Sequence, residues 1–376
     1  MHPAKIRLLV ALLLFLCTAF NLAGAAEICP EKESIAYRGA TLRMENDSFA
    51  KTDRNYSHGL ALTFESHNIK NFESDCRSWP LKLHFKIFNL VTPAFLLPDT
   101  GTEPESSIVI KLGQSIYTPR NPYRSDIILN DRPYAGILYA GLSSHQRYRP
   151  PETELEMLDA REITLGVIGP SSLAKEFQDN AHDFFGDIRF QGWSHQLNNE
   201  PALQIAFDKK FKAFRGTDAM ISGFSTDLIR SLGVRIGNIE TSVNFGIEGR
   251  VGWDIPNDFG SFTIRPGTDS RPPDLGAEKN YETSKIVSPH FGLHFFSIFD
   301  FKYVGYNFAV DGNAFSASHH VTRQPFVIFS AFGLSLPTIL MKRAYSFAIM
   351  QVYQSSDFRE QDAHHAYRSV VMSVDF

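Results

Sequence analysis

In the stretch SSLAKEFQDNAHDFFG, Gln178 and His182 are four residues apart, so on a helix they share one face. Histidine titrates near neutral pH and can take a proton from water. A lone histidine on a solvated helix gives the same pattern, so its company decides. The stretch MENDSFAKTDRNYSHG places Glu45, Asn46, Asp47, Asp53, Asn55 and Ser57 within thirteen residues. Such a run is either hairpin-turn chemistry, which Asn and Asp suit, or an oxygen-rich site for a hard cation such as calcium. Ester hydrolysis at neutral pH needs both a base and positive charge where the carbonyl oxygen turns negative. His182 can serve as the base, and a calcium ion on Asn46 and Asp47 as the Lewis acid. Ser57 is an alternative nucleophile that His182 could activate. Other chemistries find no motif: GPSSL is not a Gly-x-Ser-x-Gly turn, and neither zinc-spaced His/Cys nor a Gly-rich phosphate loop is present.

These groups need a scaffold, and most of the chain predicts strands. In GLALTFE, Leu60, Leu62 and Phe64 alternate with Ala61, Thr63 and Glu65. The same period of two recurs at Ile108–Leu112, Ile163–Val167, Leu203–Phe207, Val243–Ile247 and Tyr345–Ile349. In the final strand Val370, Met372, Val374 and Phe376 alternate with Ser369, Val371, Ser373 and Asp375. Strand segments fall near 36–49, 56–66, 106–116, 133–147, 156–168, 200–214, 224–236, 239–252, 285–299, 324–338, 342–355 and 365–376. The long stretches 67–105, 170–199 and 253–284 read as loops. One helix interrupts the second of these. Ser171 or Ser172 is its expected cap, Ala174, Phe177, Ala181 and Phe184 recur at helical spacing, and Gly186 ends it.

The N-terminus carries Lys5 and Arg7, an apolar run from Leu8 to about Phe20, and small residues at Ala23 and Ala25. This is the layout of a cleaved export signal, residues 1–26, leaving 27–376 as one domain. No later apolar run is long enough to cross a bilayer as a helix. Removing the signal lowers Lys+Arg from 37 to 35 against 41 Asp+Glu, a net charge of about −6 that excludes a nucleic-acid partner. Cys29 and Cys76 remain, an even pair whose bonding sequence cannot show. A soluble sandwich alternates as a barrel does; export and the terminal aromatic strand favour the barrel. The expected fold is therefore all-β: an antiparallel transmembrane β-barrel of about 12 strands in a bacterial outer membrane, with a short helix in an extracellular loop.

Five ordered blocks carry a resemblance: ENDSFAKTDRNYSHG, GQSIYTP, NDRPYAGILYAG, LGVIGPSSLAKEFQDNAH and GWSHQLNNEP. Together, over about residues 36 to 205, they resemble the outer-membrane lipid A 3'-O-deacylase family of the LpxR type, with weaker likeness at DGNAF and the final strand. The resemblance implies a twelve-stranded barrel with its site at the outer edge, between the wall and a loop helix. It also implies calcium-dependent release of the 3'-linked acyloxyacyl chain of lipid A, with lipopolysaccharide and outer-membrane lipids as partners of a monomer. Carried across, Asn46 and Asp47 match the calcium pair, His182 the base, Gln178 the glutamine four positions earlier, and Ser57 a supporting hydroxyl. Arg124 corresponds to a basic residue after the YTP turn. An acidic residue that follows the histidine in some relatives falls at Ile188, beside Asp187. Asp131, Arg132, Trp193 and Glu200 read as polar pins that fix loop and helix to the wall. Two rival readings are an esterase acting on glycerophospholipid and a non-catalytic barrel, either porin or adhesin.

Overall fold

The computed structural model describes residues 37–47, 55–66, 79–92, 104–151, 153, 155–217, 223–260, 290–340, 343–361 and 365–375. Residues 1–26, Cys29, Cys76 and Phe376 lie outside them. The alternating segments form strands β1 (Tyr37–Asn46), β2 (Asn55–Ser66), β3 (Glu105–Thr118), β4 (Ala135–Tyr148), β5 (Met157–Ile168), β6 (Glu200–Thr217), β7 (Phe224–Gly237) and β8 (Glu240–Trp253). There follow β9 (His290–Phe291 and Leu293–Asn307, joined through Gly292), β10 (Phe326–Leu340), β11 (Arg343–Gln354) and β12 (His365–Asp375). Each pairs antiparallel with its neighbours in sequence, and β1 pairs with β12 from Gly39↔Asp375 to Asn46↔Arg368. The result is a closed, up-and-down barrel of 12 staves. Among the described residues no helix is long and apolar enough to cross a membrane.

The period of two separates the faces. Leu165, Leu203, Leu232, Phe245, Phe299 and Phe332 are exposed on the outer face, as a lipid-facing belt requires. The lumen takes the charges, in pairs, because an unpartnered buried ion is costly. Lys111 meets Glu162 at 2.7 Å, Arg235 meets Asp208 at 3.0 Å, and Lys302 meets Glu240 at 2.9 Å. The residues after β8 fold inward: Arg250 pairs with both Asp227 and Asp258, and the Lys212 ammonium lies 4.9 Å from the centroid of the Phe259 ring.

Three departures from the sequence reading have physical causes. β9 runs to Asn307 rather than ending at 299, because Asp300 and Lys302 point into the lumen, where partners accept them. The stretch 67–105 is not all loop but holds α1, Trp79–Val91. It belongs to a separate compact unit of residues 1–36 and 69–99. In α1, His84 and Phe88 are buried with ring centroids 4.6 Å apart. Proline at the second position of α1 does not break it, since a first-turn N–H has no helical partner anyway. The loop helix, α2 (Ala174–Phe185), is capped differently from expectation. Leu173 is its N-cap in a left-handed conformation, no side chain caps it, and the Ser172 hydroxyl instead donates to the Gly169 carbonyl at 2.6 Å. Gly186 does end it, at φ 77°. A short helix, α3 (Phe308–Asp311), begins the β9–β10 connection.

Candidate active site

One half of the expected site lies at the end of β1, and the other on the loop helix, which docks on the outside of the wall. On β1, Asn46 shares the outward parity of Leu42 and Met44 and is half-buried; Asp47, one residue past the strand, is fully buried. Asn46 pairs with His58 on β2, and His58 pairs with Ile116 on β3. Asn46 thus lies two strand spacings, roughly 10 Å, from Ile116.

α2 crosses this same outer surface. Gly136 on β4 packs against Ala174, the amide of Gln114 on β3 donates to the Ser172 carbonyl at 2.7 Å, and His58 on β2 stacks on Phe177 with centroids 4.8 Å apart. Ile116 joins Tyr134, Ala174, Phe190 and Trp193 in one apolar cluster beneath the helix. The buried face of α2 consists of Ala174, Gln178, Asp179 and His182. Sequence spacing had suggested the apolar row Ala174, Phe177, Ala181 and Phe184; instead Phe184 is 83% exposed and the polar row is covered.

The geometry fixes both polar groups. His182 Nδ1 lies 2.6 Å from the Ile188 carbonyl oxygen. A carbonyl can only accept, so Nδ1 carries a proton. Ile188 thus orients the imidazole through its backbone carbonyl. That backbone is held by Gly186 and Asp187, whose N–H groups donate to the His182 carbonyl, and by the Arg189–Asp183 ion pair. The guanidinium hydrogen bonds hold the Asp183 carboxyl below the usual range. Gln178 Oε1 accepts from the Trp193 indole at 2.8 Å. Its Nε2 is buried with no partner among the described residues, a donor kept ready for something else.

Ser57 sits in a β-bulge between β2 and β3, buried, with its Oγ 2.5 Å from Thr118 Oγ1. Arg124 lies in the exposed β3–β4 loop, where its Nε donates to Asp126 at 2.9 Å; that hydrogen bonding pulls the Asp126 carboxyl down to about 2. The structure therefore joins Gln178 with His182, and Asn46 with the neighbours of α2, while it holds Arg124 on Asp126. The expected pins act as pins. Arg132, fully buried, donates to Asp357 at 2.7 Å. Asp131 accepts from the Arg120 and Arg132 amides, and Glu200 from Asn238 and the Ala314 and Phe315 amides. His58, Thr118 and the Ile188 carbonyl escaped the sequence reading. Only His58 left a signal there, as the histidine directly after Ser57 in YSHG.

At the β1 tip the Asn46 amide and the Asp47 carboxylate offer oxygen donors, with the His58 imidazole cross-strand from Asn46 and the Ser57 and Thr118 hydroxyls bonded to each other on β2 and β3. The oxygen donors fit a hard cation such as calcium rather than zinc. Among the described residues no three His, Cys, Asp or Glu side chains gather closely enough to hold a metal.

The family model "Outer membrane protein LpxR" matches residues 8–376. The chain belongs to the LpxR family. No curated protein sequence matches it. Among solved structures, LpxR from Salmonella typhimurium superposes with a TM-score of 0.63 at 18% identity, over 90% of this chain and 100% of that one. The β domain of the Bordetella autotransporter BrkA gives a TM-score of 0.43 at 7% identity, over 90% of this chain and 98% of the other. The twelve-stave barrel is thus the LpxR fold.

Proposed function

We propose that this LpxR-family barrel is a lipid A deacylase that hydrolyses the ester of the 3'-linked acyloxyacyl chain from the outer face of the wall. The observation that carries the reading is His182: a buried imidazole whose Nδ1 is held by the Ile188 carbonyl, on a helix docked against the membrane side of β2, β3 and β4. Its Nε2 takes a proton from water as the water attacks the ester carbon, and returns it to the departing sugar oxygen. Gln178 Nε2, locked by Trp193, offers a hydrogen bond to the acyl group. Ser57, buried and bonded to Thr118, suits a supporting hydroxyl better than a nucleophile. Calcium, when bound by Asn46 and Asp47, would supply the positive charge that a developing oxyanion needs. The substrate lies in the outer leaflet of the membrane, so a site on the lipid-facing side reaches its esters without passing the charged lumen.

The test is mass spectrometry of lipid A from cells expressing the protein. The wild type should remove the mass of the acyloxyacyl group and His182→Ala should not, while both migrate as folded barrels. An active His182→Ala variant removes the mechanism. A chelator should silence purified wild type, and cleavage of glycerophospholipid in preference to lipid A would return the rival esterase reading.

A further inference from the structure

α2 is inverted relative to a helix on a water-soluble surface. There the apolar stripe packs inward and the polar one meets solvent. Here Gln178, Asp179 and His182 are buried, while Phe184 and Phe185 are 83% and 71% exposed, with ring centroids 5.1 Å apart edge to face, and Ile188 is 51% exposed. Three large apolar side chains within five residues form a patch that marks a contact surface.

The wall beneath identifies the occupant. Gly136, Gln114 and His58, which carry α2, share the outward parity of Leu138, Leu112 and Leu60. The helix therefore lies on the barrel's membrane-facing side, and the groups it turns away from the wall meet whatever the wall meets. On neighbouring staves that side continues as the exposed Leu165 and Leu203. Charged residues flank the patch: Lys175, Glu176, Asp183 and Arg189 are all exposed, as on a segment at the boundary between headgroups and acyl chains.

We propose that Phe184, Phe185 and Ile188 form a wedge seated in the acyl chains of the outer leaflet, anchoring the far end of α2 to the bilayer. Ile188 is also the residue whose carbonyl orients His182, so the same turn would be held from both sides, by lipid through the side chain and by imidazole through the backbone. The inference stands on the membrane face of the barrel and does not depend on the hydrolase reading.

A ketone-bearing amino acid placed at 184 or 185 and coupled to a nitroxide tests it in phosphatidylcholine vesicles, with the native cysteines kept. Collision rates with oxygen, which partitions into hydrocarbon, and with a water-soluble nickel chelate are compared with labels at Leu203, on the belt, and Glu360, in an exposed polar loop. Labels at 184 and 185 should match Leu203, with oxygen collisions exceeding nickel collisions severalfold. Nickel-dominated rates like those at Glu360 overturn the wedge. A label that prevents folding, seen as loss of the heat-modifiable gel band, is moved to 188 and held to the same criterion. Neither rate involves hydrolysis, so a lipid-like signature in an inactive protein refutes only the deacylase, and a water-like signature in an active one refutes only the wedge.

Discussion

Replacing Gly136 by alanine should lift α2 from the wall while leaving the barrel closed. A Cβ at this position would come under 3.0 Å from the Ala174 Cβ and within 2.5 Å of Ser172 Oγ. The hydroxyl can rotate away, but Ala174 can retreat only with its helix. Overpacking of this kind costs about 1–3 kcal/mol, which lowers the docking equilibrium of the helix roughly 5- to 150-fold. The strand itself is spared, since Gly136 keeps its pairing with Ile116 of β3. The Gln114–Ser172 and Trp193–Gln178 hydrogen bonds depend on docking and should go with it. The assay is acyl release from lipid A in mixed micelles, with heat-modifiable gel mobility reporting the barrel. Ala174→Gly in the same chain removes the obstructing atom and should restore most of the activity, short of about 1 kcal/mol for glycine in a helix. Wild-type activity in Gly136→Ala, or no recovery in the double variant with the barrel intact, would refute the docking geometry.

His182→Ala should lower acyl release by about two to four orders of magnitude, the usual range for a lost general base, with unchanged barrel mobility. Trp193→Phe strands the buried Gln178 carbonyl and should cost about 1–3 kcal/mol, read as a drop in the rate of acyl release, whereas Trp193→Tyr, which keeps a donor, should lose less. Arg132→Ala leaves Asp357 without its guanidinium and should destabilise the barrel by about 3–5 kcal/mol, seen as an earlier midpoint of urea unfolding in lipid vesicles. Asp183, whose carboxyl is depressed by Arg189, contributes stability fully present above the ordinary carboxylate pKa and lost as pH falls through its lowered value. The Asp187 amide, which donates to the His182 carbonyl, should therefore exchange hydrogen faster in Asp183→Asn than in wild type at about pH 6, and the difference should vanish once the pH has fallen below the lowered carboxyl range.

Strands were legible wherever side chains alternate between lipid and lumen. Tyr345, Phe347 and Ile349 on β11 point outward as their spacing predicts, and Ala344 and Ala348 point inward. The predicted strand stopped at 299, before Asp300 and Lys302, when a charged lumen is where these two belong. The existence and end of α2 were legible from spacing and Gly186, but its orientation was not. The apolar-face rule assumes water outside, and here the outside is the membrane side, so Phe184 and Phe185 face out and His182 faces in. Gln178 and His182 could be named from their spacing of four. Their partners could not, because Trp193 arrives from a later turn and the Ile188 group that fixes the imidazole is a carbonyl, which every residue owns.

β1 is at once a site strand and a seam strand. It carries Asn46 and Asp47 at its tip, and it is closed by β12, where Thr41 Oγ1 donates to Ser373 Oγ across 332 positions of sequence. Until the last stave arrives, β1 is paired only on its β2 side, where Asn46 meets His58, and its other row of backbone groups is an open edge. Under the proposed function the strand that carries Asn46 is therefore also the one that closes the barrel, so the site and the seam would be completed by the same pairing.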